Sequence, residues 1–231
     1  ATPQSAADYT RSAQTMEYDS ERAMFEAYAK NKLDPTGVIQ WMLNNAWPSM
    51  IWHLFDYNLD AGGGYFGAKK ACEPLHVQYP YDHHSVYSVS SLPVASSALP
   101  VPAEVFDLHL KQVFDQPRTV NVAADGSQHV LDIPAGIFQP DDSLHFVRLE
   151  MKNRSGKVIS RNFYWIPSRL TEFDWAKTFY ARTPAKKYAN MQVLRTLPES
   201  QIQGTLIRSG RELQVHLENT SHALAFQVQF A

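Results

Sequence analysis

Chemistry in this sequence would begin with its histidines and carboxylates. His53, His76, His83 and His84 carry ring nitrogens suited to a metal. Zinc needs three or four converging ligands, and His83 and His84 are adjacent, so in an extended strand they point to opposite faces. No His-x-x-x-His helix pattern is present, and no metal site is expected. Glu73 and Asp56 would make a carboxylate pair for acid/base work. Glu73, however, precedes Pro74 at a helix end, where its simplest role is pairing with Lys69 or Lys70. The single cysteine, Cys72, forbids an internal disulfide. At the end of an apolar helix it reads as a buried small hydrophobe rather than a nucleophile. Asn153-Arg154-Ser155 and Asn219-Thr220-Ser221 fit glycosylation acceptors, but such triplets are common by chance. A further concentration of polar and aromatic groups is Asn44-Asn45-Ala46-Trp47-Pro48-Ser49, followed by Trp52 and Phe55.

These residues need elements to position them. Tyr9, Ala13, Met16, Ser20, Met24 and Ala27 or Tyr28 recur at steps of three and four, which predicts a helix. Arg11, Glu17, Asp19 and Glu21 fall between them. The helix should end by residues 31–34, because Asp34-Pro35-Thr36-Gly37 is a strong breaker. Val38-Ile39-Gln40-Trp41-Met42-Leu43 then reads as a strand buried on both faces. A helix, a short turn and a buried strand form one αβ step of a parallel α/β fold. In a barrel, residues just past the C-terminal end of a strand lie at the active-site face, which is where Asn44 to Ser49 would fall. Asp60-Ala61-Gly62-Gly63-Gly64 leads into a short helix that stops before Pro74.

From Leu75 the pattern turns to β. Phe106, Leu108 and Leu110 alternate with polar residues, as do Val147, Leu149 and Met151. Turns at Asp125-Gly126 and Asn153-Arg154-Ser155-Gly156, with a return over Val158 to Ile166, give sandwich-like spacing. Phe106, Leu108, Leu110, Val147, Leu149 and Phe163 are the expected core. An aromatic linker runs from Arg169 to Tyr188. Two more alternating runs follow, Leu213 to Leu217 and Leu224 to Phe230. The expected organisation is the end of a barrel over 1–74, an immunoglobulin-like β-sandwich over 75–168, and a linker with the start of a second sandwich over 169–231. One αβ step cannot form a barrel, and the chain is expected to be cut from something longer.

Composition narrows the function. The 231 residues carry a formal net charge of −2, with 44% hydrophobic and 19% charged residues. That supports a buried core and offers no basic excess for nucleic acid. No window reaches the roughly 18 apolar residues of a membrane helix. Residues 1–7 lack the basic and apolar regions of an intact signal peptide.

The run Gly37-Val38-Ile39-Gln40-Trp41-Met42-Leu43-Asn44-Asn45-Ala46-Trp47-Pro48-Ser49 resembles the last barrel strand of glycoside hydrolase family 2. Phe55-Asp56-Tyr57 and Tyr65-Phe66-Gly67-Ala68-Lys69-Lys70-Ala71-Cys72-Glu73-Pro74-Leu75-His76 continue the resemblance. It is closest to the exo-β-D-glucosaminidases and plant-type endo-β-mannosidases. Asp174-Trp175 to Leu197-Pro198 resembles their linker into the last sandwich.

The resemblance implies a mixed fold, the last αβ step of a (β/α)₈ TIM barrel followed by immunoglobulin-like sandwiches. It implies a secreted or periplasmic retaining β-glycosidase acting on β-linked glucosamine or mannose, without a cofactor. Such enzymes use two glutamates about 5 to 5.5 Å apart. The resemblance puts both upstream of Ala1, so no catalytic residue is expected here and the chain alone should be inactive. Its partners would be a β-linked oligosaccharide and the remainder of the enzyme. Trp41 falls where the family places the aromatic floor of the sugar subsite; on pattern alone it reads as core. Asn44, Asn45 and Trp47 would stand at the rim, where amides meet sugar hydroxyls, or else cap and underlie the loop. The β-mannosidase relatives usually carry Asp where this chain has Asn45, which leaves glucosamine against mannose open. The competing reading is a non-catalytic β-sandwich that binds glycans or a partner. Residues 1–74 argue against it, since a free-standing sandwich has no use for them.

Overall fold

The computed structural model describes residues 3–32, 34–138, 143–180 and 182–228. Helix α1 (Ala6–Lys30) starts at Ser5, whose hydroxyl accepts from the Asp8 amide at 3.1 Å. Such a cap stabilises a helix by about 1 kcal/mol. Asn31 ends it, its side chain donating to the Ala27 carbonyl at 2.8 Å. Helix α2 (Gly63–Ala71) packs directly on α1. The approach is close because Gly63 and Gly67 carry no Cβ. A Cβ at Gly63 would collide with the Gln14 carbonyl, and one at Gly67 with the Tyr18 carbonyl.

The periodicity located α1, but its buried side is the polar one. Glu21, Arg22 and Glu26 are buried, while Tyr9, Met16 and Met24 face outward. A buried ion pairs with partners or does not form; Arg22 and Glu26 find partners below α1, whereas burial pushes the Glu21 carboxyl up.

Residues 38–43 form neither a strand nor a helix, contrary to the sequence expectation. Ile39, Trp41 and Leu43 are exposed, and the nearest ladder contact is a single parallel bridge from Asn44 to Phe55. A parallel strand satisfies its backbone through neighbours on both edges. Among the described residues no strand lies beside this segment, so the expected αβ step is a helix followed by irregular chain. The described residues contain no barrel sheet.

The sandwich follows. One sheet holds β1 (Leu75–Gln78), β2 (Ser85–Ser90) and β5 (Ser127–Asp132). The other holds β3 (Ser96–Phe106), β4 (Gln112–Val122), β6 (Leu144–Lys152) and β7 (Val158–Pro167), in the order β4-β3-β6-β7. All pairings are antiparallel. Val77, Tyr79, Val86, Val101, Ala103, Val105, Val147, Leu149, Tyr164 and Ile166 fill the space between the sheets. The alternation of Val147, Leu149 and Met151 is as read.

That of Phe106, Leu108 and Leu110 is not. Strand β3 ends at Phe106, and the Asp107 carboxylate accepts from the His109 and Lys111 amides, closing a turn. The core of β3 is the opposite phase, Val101, Ala103 and Val105. Phe106, Leu108 and Phe163 instead join a second cluster on the outer face of the four-stranded sheet. It includes Leu144, Phe146 and Trp165, with Tyr18 of α1 and Leu194, Leu224 and Phe226 from beyond the sandwich.

The remaining chain is short elements: the pair β8 (Glu172–Phe173) and β9 (Ala185–Lys187), then the hairpin β10 (Ile202–Ser209) and β11 (Glu212–Asn219). Leu213, Val215 and Leu217 alternate within β11 as expected. Residues 224–228 form no strand. Phe226 packs edge-on against Trp165, with ring centroids 5.1 Å apart, and this takes the place of strand pairing. Phe230 lies outside the described residues.

Candidate functional site

Residues 34–62 form an irregular segment ahead of α2. The Phe55 amide donates to the Leu43 carbonyl at 2.9 Å, and the Gly62 amide to Leu54 at the same distance. Asp56 accepts from the Asn58 and Asp60 amides, closing the tip. Within this frame the Trp52 indole N–H donates to the Trp41 carbonyl at 2.6 Å, and Gln40 donates to the Trp52 carbonyl at 3.0 Å. The Trp41–Met42 peptide bond is cis.

The four expected site residues divide into two kinds. Trp41 and Trp47 are 71% and 68% exposed, so neither ring is core here. Asn44 is exposed, and its amide reaches the Asn45 carbonyl at 3.4 Å. Asn45 is only 8% exposed. Trp52, also exposed, joins Trp41 through that indole bond; nothing in its spacing marked it as the residue that holds Trp41.

The other polar candidates lie apart. Cys72 is exposed rather than buried, standing just past the last residue of α2 as its C-cap. His53 is buried, His83 exposed, and His84 stacks on Phe138 with a centroid distance of 4.5 Å. Among the described residues no group of three or more His, Cys, Asp and Glu could hold a metal.

Glu73 pairs with Lys70 at 2.6 Å, as read from the spacing. Its second oxygen meets His76 Nδ1 at 3.2 Å and accepts from Ser160 at 3.0 Å. Burial opposes its charge, but the bonds from His76, Lys70 and Ser160 prevail and hold its carboxyl at about 2. His76 Nε2 meets Glu26 Oε1 at 2.8 Å, and the same oxygen accepts from Asn162 at 2.7 Å and from the Tyr164 hydroxyl at 2.8 Å.

Arg22 is fully buried beside this group. It donates to Asp19 at 2.8 Å, to Asn162 Oδ1 at 3.0 Å and to the Phe163 carbonyl at 2.6 Å. Burial pushes the Tyr81 and Tyr164 phenols well above their ordinary value, so they stay neutral. This cluster joins α1, the end of α2, β1 and β7. The sequence signal for it was faint: Arg22 and Glu26 stand four apart on one helix face.

The profile of the Mannosidase Ig/CBM-like domain matches residues 82–168. An exo-β-D-glucosaminidase of Streptomyces avermitilis is 40% identical over 209 residues, covering 88% of this chain and 23% of that protein. One from Arthroderma benhamiae is 34% identical over 231 residues, covering 98% of this chain and 26% of that protein. The crystal structure of Amycolatopsis orientalis exo-chitosanase CsxA superposes with a TM-score of 0.85 at 32% identity, covering 94% of this chain and 26% of that one. The chain therefore spans about a quarter of the length of the curated relatives it matches. Because the match runs through helices, sandwich and hairpin alike, the chain belongs to glycoside hydrolase family 2, among its exo-β-D-glucosaminidase-like members.

Proposed function

We propose that this chain is part of a retaining β-glycosidase that releases β-linked glucosamine or mannose outside the cytoplasm. A glutamate nucleophile forms the glycosyl-enzyme and a second glutamate protonates the leaving oxygen. Both belong to the part of the enzyme beyond this chain, and residues 1–74 complete the barrel that carries them. The outward apolar side chains Tyr9, Met16 and Met24, with Ile39, Met42 and Leu43 but not Trp41, then pack against that barrel. The chain's own share in the reaction is binding. Trp41 offers its indole face to the C–H face of a sugar ring, Asn44 and Asn45 hold hydroxyls, and Trp47 excludes water at the rim.

The observation that carries this reading is the exposure of Trp41, whose carbonyl is tied down by the Trp52 indole while its ring stays free. A core tryptophan would do the reverse. The test is Trp41→Ala in the complete enzyme, assayed on a β-glucosaminide and a β-mannoside. Losing one stacking contact costs on the order of 1 to 3 kcal/mol, or roughly 5-fold to 160-fold in kcat/KM. Unchanged kcat/KM on both substrates would refute the role of Trp41. Turnover by the 231-residue chain alone would refute the placement of the glutamates.

A further inference from the structure

His76 is 1% exposed, and both of its ring nitrogens face carboxylate oxygens, Glu26 at 2.8 Å and Glu73 at 3.2 Å. A carboxylate only accepts, and a neutral imidazole has one N–H, so a neutral ring would set a lone pair against one of them. Charge balance points the same way. Asp19, Glu26 and Glu73 are the acids of the cluster, Arg22 and Lys70 its other bases. Three anions meet three cations only when His76 is charged. Glu26 Oε1 meets His76 Nε2 and accepts from Asn162 and Tyr164.

We infer that the proton on His76 is a latch between the helical unit and the sandwich: it clamps α1 at neutral and mildly acidic pH, and its loss at alkaline pH frees α1. The clamp spans four elements, with Glu26, Arg22 and Asp19 on α1, Lys70 and Glu73 at the end of α2, His76 on β1, and Asn162, Ser160 and Tyr164 on β7. Burial works against the charged ring, but hydrogen bonds to Glu26 and Glu73 outweigh it and raise its pKa above the ordinary imidazole value. The sign follows. A raised folded pKa gives stability that is complete below about pH 6.5 and drains away as pH rises through the folded value. Between those two values, opening α1 releases one proton. The device goes beyond the proposed activity and does not depend on it.

Hydrogen–deuterium exchange of the complete protein, read by mass spectrometry from about pH 6 to pH 9 and scaled for intrinsic exchange, tests this. Residues 6–30 report the latch, and residues 144–152 of β6 serve as reference. Opening of α1 should rise by up to about tenfold per pH unit above roughly pH 6.5, then level off, while β6 stays flat. His76→Gln should open α1 already at the acid end and abolish the pH dependence. If that variant does not fold, Glu73→Gln withdraws one carboxylate and should shrink the range over which opening rises. Flat α1 exchange in the wild-type protein, a retained pH dependence in His76→Gln, or an unchanged range of rising exchange in Glu73→Gln would overturn the inference.

Discussion

The guanidinium carbon of Arg22 lies 4.0 Å from the centre of the Tyr164 ring, and neither side chain reaches solvent. Helix α1 is thus fixed to the sandwich by a buried cation on an aromatic face, forked between Asn162 and the Phe163 carbonyl. Removing one member of such a buried set leaves the others unpaired, at a cost of about 3 to 5 kcal/mol. Arg22→Ala should lower the urea midpoint of the α1–sandwich unit accordingly. Arg22→Lys should not rescue it, because an ammonium lacks the planar fork. A loss below about 1 kcal/mol in Arg22→Ala, the level of an ordinary exposed pair, would show that the cluster does not hold α1.

Gly63 and Gly67 set the distance between the two helices. An added methyl meets backbone rather than a movable side chain at both positions. Gly63→Ala and Gly67→Ala should each destabilise by about 1 to 3 kcal/mol through overpacking. Gly136, with open space around its Cβ position, is the control. Gly136→Ala should be neutral or slightly stabilising in the same thermal scan.

Acid should loosen the cluster through Glu73. Its carboxyl sits at about 2 against an ordinary 4.5. A depressed folded pKa contributes stability above the ordinary value and loses it as pH falls toward the folded one. Melting temperature should therefore drop through this acid window more steeply in the wild-type protein than in Glu73→Gln. Parallel curves would assign the acid sensitivity to other carboxylates.

Trp52 holds the Trp41 carbonyl through its indole N–H. Trp52→Phe keeps an aromatic ring, though a smaller one, and deletes the donor. One lost hydrogen bond of about 1 kcal/mol corresponds to roughly fivefold in kcat/KM. The effect should fall within that of Trp41→Ala and vanish when both substitutions are combined. Additive effects would mean that Trp52 acts on its own.

Much of this fold was legible in local pattern. The breaker at Asp34-Pro35 ends α1, and the period-two runs of β6 and β7 are real strands. Other features depend on what lies opposite. An apolar stripe on α1 says that a stripe exists, not which side is covered, and here Arg22 finds its partners 140 residues away in Asn162. The run Val38 to Leu43 has strand composition, but a strand is a pairing and the described chain supplies no neighbour. Asp107 overrode an alternating pattern with two side-chain bonds to backbone. Of the expected site residues, Trp41 is singled out by the family resemblance, since on pattern alone it reads as core; its exposure is what the structure adds. The histidine beside two glutamates could not be read from spacing, because the three come from separate elements.

The helix contact at Gly63 and Gly67 has a consequence for how such a segment can vary. The chain leaves α1 and returns at α2, so the two glycines act as a drawn knot at the neck of a noose. Once a noose is closed, its girth is cheap: each doubling of loop length adds only about 0.6 kcal/mol of closure entropy. Extra residues near Asn58, at the exposed tip, would enlarge the rim without loosening the neck. A lineage could thus redraw the outline of this exposed edge by insertion while the frame beneath is inherited unchanged.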